Sequence, residues 1–435
     1  MSQAPTVAAR GHARNKSATK ASRPRSSTKG PLDADDSTFS VPPQSPLRSG
    51  RLIPASVVPQ QQSPSTSNQY PRQSAVSPAR RVTPPKDFSY LLRPEIYHPI
   101  PPMSIPAPFR NSSKQPSPGT PIPDLLARGH FRAAAVAAAH ALTGTDGYSP
   151  PNPTDHVRIF DLLYTRLACL TLINATPLAA LEVKALEDLN SAFYVDEIDG
   201  VHLVPWELRV LNVRLQAMGF ADPRRAVMSY YDLARDTRIQ IANATASHDN
   251  SARELWKDRL YDLGIKIAGA LIEMDDFVGA SYHLSTLRAR DDEKTALSQA
   301  LLLLHIGDVH AARQCFRGDE ASKMVIAALC DMADGDYGAA LPRWRELQQE
   351  TPDEMIAVNM AVCLLYTGKM EEGRDLLATL IDSGYSSHTL LFNLTTTYEL
   401  CTDRPRSFKL VLAGKVAGLV ETPKGWEKGN GDFKL

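Results

Sequence analysis

Five pairs of small residues constrain this chain more than any other feature in it. They are Ala268/Ala280, Ala300/Ala312, Ala328/Ala340, Ala361/Gly373 and Thr395/Ser407, and the members of each pair stand twelve residues apart. From one pair to the next the chain advances 32, 28, 33 and 34 residues. Between the two members runs a turn: "MDDF", "IGDV", "DGDY", "TGKM" or "CTDR". Apolar residues recur every three or four positions on both sides, which is the period of an amphipathic helix. Two helices joined by so short a turn lie antiparallel, and small side chains are needed where their backbones come closest.

A step of about 34 residues between helical hairpins is the tetratricopeptide (TPR) spacing. The flanks agree. Trp344, Leu347 and Pro352 follow Ala340 at four, seven and twelve residues, and "VNMA" (358–361) and "FNLT" (392–395) lie 34 apart. The expected fold is all-α: a TPR-like α-solenoid of antiparallel helix hairpins, with about sixteen helices of ten to twenty residues and no strand. Upstream the pattern degrades. "GFADPRRAVMSYYDLARD" (219–236) still gives a turn and second helix with Ala226 and Tyr230 in repeat positions, but its partner twelve back is Arg214. "RGHFRAAAVAAAHAL" (128–142) suggests a hairpin around Phe131 and Ala134, and Pro205 sits near the start of a helix anchored by Trp206. Residues 144–155 and 243–252 are expected to be polar insertions.

The stretch "GDYG" (335–338) before a helix has the look of an anion cradle, since free N–H groups and the helix dipole point outward there. A phosphate loop needs a preceding strand or a Lys-Ser/Thr after the glycines, and neither is present. Gly335 is therefore expected to be a turn glycine, equivalent to Gly307 and Gly368.

Charge divides the chain. Residues 1–86 hold 13 Lys or Arg against three acids, a net of +10, and because the whole chain has 48 of each sign the remainder carries −10. Residues 1–122 contain 22 of the 33 prolines, a composition that cannot bury enough apolar surface to offset the entropy of ordering. Residues 1–86 are thus expected to be a long disordered N-terminal arm, basic and Pro/Ser-rich. It carries "SPLR", "SPAR" and "TPPK", whose Ser45, Ser77 and Thr83 are candidate sites for proline-directed phosphorylation. Residues 87–122, with Phe88, Tyr90, Leu91, Ile96, Tyr97 and Phe109 among many prolines, read as an extended strap lying on the body or on a partner. Degenerate hairpins are expected over 123–252, TPR repeats over 253–420 and a C-terminal tail over 421–435.

Several function classes lack their residues. There is no HExxH, GxSxG, GxGxxG or Walker sequence, and the eleven histidines have no zinc spacing. His305 and His310 flank the Gly307 turn and read as ordinary surface histidines rather than a metal pair. No enzyme, cofactor or metal is expected. The acidic body is a poor match for a phosphate backbone, so no nucleic-acid partner is expected either, although a helical-repeat RNA binder remains the alternative of another class. Cys169, Cys315, Cys330, Cys363 and Cys401 are odd in number and far apart, as free thiols of a reducing compartment would be. No apolar run reaches the length of a membrane span, and the expectation is a cytoplasmic protein. Asn359 and Asn393 repeat at 34 residues and are expected to face one groove, either binding a partner or bonding within the helices. Tyr366 and Tyr398 join them as candidate partner-binding residues. A co-chaperone clamp would need Lys, Asn and Arg along successive first helices, where this chain is mainly apolar or small.

The C-terminal half carries a more specific likeness. "NMAVCLLYTGKMEEGRDLL" (359–377), "LLFNLTTTYEL" (390–400) and "LAGKVAG" (412–418) resemble the TPR family that forms subunit 12 of the TRAPP (transport protein particle) vesicle-tethering complex. "VPWELRVL" (204–211), "LIEMDDFVGASYHL" (271–284), "IGDVHAARQCF" (306–316) and "RPEIYHPI" (93–100) extend the resemblance over about 87–420. Departures are a shortened stretch between Ala312 and Ala340 and a tail after Lys424. The resemblance implies a non-catalytic subunit in a hetero-oligomer, bracing an arm against the subunit 11 type. Through the complex it would sit at Golgi and ER–Golgi membranes, act indirectly on a Rab1/Ypt1-type GTPase, and serve ER-to-Golgi transport and autophagy. A TPR adaptor of another complex is the runner-up.

Overall fold

The computed structural model describes residues 85–435 except Asp199, 288–292 and 316–318. Ser45, Ser77 and Thr83 lie outside the described residues. Among those residues the fold is all-helical, with one isolated bridge between Val195 and His202 and no strand. Short 3-10 turns at Ser89–Leu92, Pro94–Ile96 and Pro102–Ser104 lead to α1 (Ala107–Arg110), α2 (Ile122–Ala127), α3 (Phe131–Thr143), α4 (His156–Leu172) and α5 (Thr176–Glu182). Then follow α6 (Trp206–Gly219), α7 (Pro223–Ala246), α8 (Asn250–Glu273), α9 (Phe277–Thr286), α10 (Glu293–Ile306) and α11 (Val309–Gln314). The series ends with α12 (Glu320–Ala333), α13 (Tyr337–Glu350), α14 (Glu354–Tyr366), α15 (Met370–Asp382), α16 (His388–Cys401) and α17 (Pro405–Ala417). Consecutive helices pack pairwise, and pairs stack on pairs, as in an α-solenoid.

One connector recurs. The first helix of a hairpin ends in a residue with left-handed backbone: Ala221 (φ 51°), Asp275 (58°), Gly307 (90°), Gly335 (80°) or Gly368 (81°). The next residue donates its N–H back to the carbonyl five earlier, as Asp276 does to Leu271 (3.0 Å), Asp308 to Leu303 (2.9 Å) and Asp336 to Asp331 (2.9 Å). That bond satisfies a carbonyl orphaned at the helix end. The same aspartate then caps the following helix, accepting from the N–H of Gly279, Ala311 or Ala339 at 2.9 Å. Four residues beyond the cap stands the small residue: Ala280, Ala312 and Ala340 are fully buried. Asp222 and Ala226 repeat the device upstream, so the connector persists where the repeat sequence has degraded.

Most of the small residues are buried. Ala268, Ala300 and Ala328 are wholly buried and Ala361 is 3% exposed. A Cβ placed on Gly373 would stand 3.1 Å from the carbonyl oxygen of Ala361. The fifth pair departs. Thr395 is fully buried, with its hydroxyl donating to Leu391 O (2.8 Å), but Ser407 is exposed and donates to Arg404 O (2.9 Å). Here the connector has no left-handed residue: Thr402 is extended (φ −145°) and Arg404 makes no side-chain cap. The link is three residues long, as between α14 and α15, but α17 buries Leu412, Ala413 and Val416 and leaves Ser407 outside.

Other expectations are corrected. Residues 243–252 are not an insertion: α7 runs to Ala246, α8 starts at Asn250, and only a turn capped by Asp249 separates these 24-residue helices. The stretch is polar because its helix ends stand in solvent. Residues 128–142 form the turn and second helix of a hairpin whose first helix is α2: Gly129 is left-handed (φ 74°), His130 N–H donates to Leu125 O (2.8 Å), and Ala134, four residues on, is fully buried. Residues 87–110 are chiefly short 3-10 turns and the one-turn α1, because the prolines occupy first-turn positions where a missing N–H costs nothing. Arg214 pairs with Glu273 at 2.9 Å on the surface and takes no part in a close contact.

Two arrangements fasten the N-terminal segment. Arg166 of α4 is 2% exposed, and its guanidinium grips Glu182 of α5 through Nε (3.0 Å) and Nη2 (2.6 Å). The remaining donors reach Ala135 O in α3 (3.1 Å) and His98 O (2.7 Å), while His98 N–H donates to Glu182 (2.9 Å). One ion pair thus ties four segments. The second arrangement joins the N-terminal segment to the C-terminal tail. Ile105 and Phe109 are buried with Leu390, Leu394, Leu412, Val416, Trp426 and Phe433 in one core. Trp426 N–H donates to Gly129 O (3.1 Å), and a Cβ on Gly129 (φ 74°) would overlap the carbonyl of Thr422 and the backbone of Gly425.

Replacing Ala340 or Ala361 with leucine should cost roughly 1–3 kcal/mol through overpacking, whereas Glu371→Leu on the exposed face should leave the melting temperature nearly unchanged; thermal melts of the three variants check this. Glu182→Leu should cost about 3–5 kcal/mol by leaving Arg166 buried and unpaired, measured by urea unfolding.

Candidate functional site

The glycine turn at 335 holds no anion cradle. Asp336 already occupies the N-terminus of α13, where a phosphate would have to bind. Among the described residues no group of three or more His, Cys, Asp or Glu could hold a metal ion. His310 Nδ1 lies 3.4 Å from Gln314 of its own helix. The four candidate residues Asn359, Tyr366, Asn393 and Tyr398 lie on the last two hairpins.

Four residues there were singled out from sequence. Asn359 of α14 and Asn393 of α16 hold equivalent, half-buried positions. Each amide donates one turn back along its own helix, to Met355 O and Thr389 O, both at 2.9 Å. Each therefore keeps its carbonyl oxygen for other work. Tyr366, 64% exposed at the end of α14, stacks face to face on Tyr337 at the start of α13, with centroids 4.2 Å apart and planes 5° from parallel. Tyr398 is half-buried against Phe408 of α17 at 5.5 Å, and burial pushes its hydroxyl pKa up. The structure places the asparagines at matching positions in two stacked helices. It sends each tyrosine to an aromatic ring on a neighbouring second helix, so the four do not form one cluster.

Residues that the pattern search missed complete this surface. Phe392 (42% exposed) and Leu400 (58%) stand eight apart on α16, and Phe408 (49%) and Val411 (72%) three apart on α17. The signal was available: Phe392 belongs to the "FNLT" opening, and α17 is the last helix of the series. A second aromatic group lies far along the chain, where Arg259 packs over Trp206 (5.1 Å) and Trp256 (4.6 Å), with the indoles perpendicular at 5.6 Å.

Electrostatics distinguish three histidines. Burial holds His130, His202 and His283 below the ordinary imidazole value, with Arg209 adding to the effect at His202 and Arg128 at His130. His283 Nε2 faces Gly264 O at 3.1 Å and His202 Nε2 faces Leu189 O at 3.0 Å. The carboxylates lowered by hydrogen bonds to cations, such as Glu421 with Arg128 and Glu399 with Lys409, act in a separate, lower range.

No protein-family model matches the chain. It is 24% identical over 340 residues to the human trafficking protein particle complex subunit 12, covering 68% of this chain and 46% of that protein. The mouse protein of the same name is 24% identical over 338 residues, covering 67% of this chain and 42% of the mouse protein. The chain therefore spans less than half the length of these curated relatives. Among solved structures, the TPR domain of P58(IPK) is matched at 13% identity over 72% of this chain and 94% of that one, with a TM-score of 0.20, too low to bear on the fold. The chain is similar to a trafficking-complex subunit, and its own helical stack is of the TPR-like kind.

With three histidines held neutral, the unfolded chain takes up protons on these rings that the folded chain resists. Their stabilising contribution is complete above the ordinary imidazole value of about 6.5 and is lost as pH falls through the lowered folded values. The melting temperature should drop between about pH 7 and about pH 5, before the carboxylates titrate, and His283→Gln should flatten that slope in a melt series.

Proposed function

We propose that this chain is a non-catalytic scaffold subunit of a TRAPP-type tethering complex. In that role it would hold other subunits, the subunit 11 type among them, and support Rab1/Ypt1-linked ER-to-Golgi transport and autophagy from the cytoplasmic face of those membranes. The observation that carries the reading is the similarity over 340 residues to trafficking protein particle complex subunit 12. It is supported by an all-helical stack with uncovered apolar side chains on its last hairpin. Repeats of this kind present extended surfaces suited to gripping another helix or strap. No helix among the described residues is long and apolar enough to cross a membrane, so membrane association would come through the complex.

Affinity purification of the tagged full chain followed by mass spectrometry tests this. TRAPP core subunits should be enriched above control; their absence, with recovery of a different assembly, would make the chain an adaptor elsewhere. We assign the contact to the exposed face of α16 and α17. The double change Leu400→Glu with Val411→Glu should reduce recovery of those subunits at least about tenfold, the loss of roughly 1.4 kcal/mol of interface, while leaving the melting temperature unchanged.

A further inference from the structure

We infer that the groove between α1, the α2–α3 turn, α16 and α17 is a peptide-recognition site, filled in this structure by the chain's own residues 425–435 and able to take the same Asp-Phe-Lys chemistry from another protein.

The seated segment has the character of a bound peptide. Its sole regular element is the 3-10 turn Asn430–Phe433. It is joined to α17 by a stretch that makes little core of its own, with Val420 83% exposed and Thr422, Pro423 and Lys424 also exposed. Affinity in such complexes comes from a few buried anchors, and here there are two. Phe433 is fully buried, with its ring 6.1 Å from Phe109 of α1. Trp426 is 3% exposed, edge-on to Phe109 at 5.3 Å, and its indole N–H donates to Ala417 O (3.3 Å).

Charge fixes the order of residues around the Phe433 anchor. Asp432, before it, meets His388 Nδ1 at 2.6 Å. Lys434, after it, places its ammonium 2.6 Å from Glu399 and 3.2 Å from the Thr396 hydroxyl, 5.0 Å above the Phe392 ring. Lys409 of α17, only 6% exposed, donates to Lys434 O (3.0 Å) and also pairs with Glu399. The seat thus carries an acid for a cation, a histidine for an acid, an apolar pocket for an aromatic ring and a backbone donor from a buried lysine. An acidic residue in place of Lys434 would face Glu399, so the seat discriminates.

A tether makes binding in cis intramolecular, with an effective concentration in the millimolar range for a short flexible linker. A segment of the same chemistry in trans therefore competes only when the tether is cut or outmatched. The test keeps the full chain and cuts after folding. A protease site inserted between Val420 and Glu421 is cleaved in the purified protein, and a fluorescent peptide of residues 424–435 is added. The freed segment should exchange with the peptide, with the helical circular dichroism retained. A Phe433→Ala or Lys434→Glu peptide should bind at least about tenfold more weakly, the first through the lost burial of an aromatic ring. Failure of the cut segment to exchange, failure of the peptide to bind, or loss of helicity on release would each overturn the inference, making the segment an inseparable part of the core. None of these results depends on which complex the chain joins.

Discussion

The structure rests on how closely two helices can approach across a three-residue turn. The left-handed residue reverses the chain, the aspartate after it satisfies backbone groups at both helix ends, and four residues later the second helix meets the first. At Gly373 even a methyl group would be crowded, standing 3.1 Å from Ala361 O. Contacts between neighbouring hairpins follow from this geometry. The apolar faces of α12 to α15, for instance, share a core around Trp344 and Leu347 because their hairpins stack at a fixed offset.

Where the connector changes, so does the packing. The link before α17 has no left-handed residue, Arg404 rather than an aspartate stands at the cap position, and Ser407, Phe408 and Val411 are exposed. Residues 425–435 pack against α16 and α17 of this hairpin. The irregular hairpin bears both exposed apolar side chains and the contacts of residues 425–435, whereas α9 of a regular hairpin exposes Val278 and Tyr282 with no segment seated on them.

The N-terminal segment solves a different problem. A stack of hairpins exposes the apolar face of its first and last members, and in many repeat proteins polar caps cover them. Here residues 85–110 bury Phe88 and Leu91 against α4 and the stretch around Leu186, and Ile105 and Phe109 against the last hairpin. The buried Arg166–Glu182 pair fixes the first of these contacts in register through His98. The second depends on the absence of a side chain at Gly129, where the C-terminal segment crosses.

Periodicity made the hairpins legible before any coordinates, because helix pitch and the close approach both leave marks at fixed spacing: Ala268, Ala300, Ala328, Ala361 and their partners twelve residues on. Composition likewise set the proline-rich segment apart. The sequence could not show the fate of Ser407, since the lack of a left-handed residue between α16 and α17 is a matter of the backbone conformation at Thr402 and Arg404. It could not show that 243–252 are the ends of two long helices, because exposed helix ends are as polar as loops. Nor could it place the tail, whose anchors Trp426 and Phe433 lie more than 300 residues from Phe109. Local spacing records contacts between neighbours along the chain; contacts between its distant parts carry no period, and only packing in three dimensions decides them.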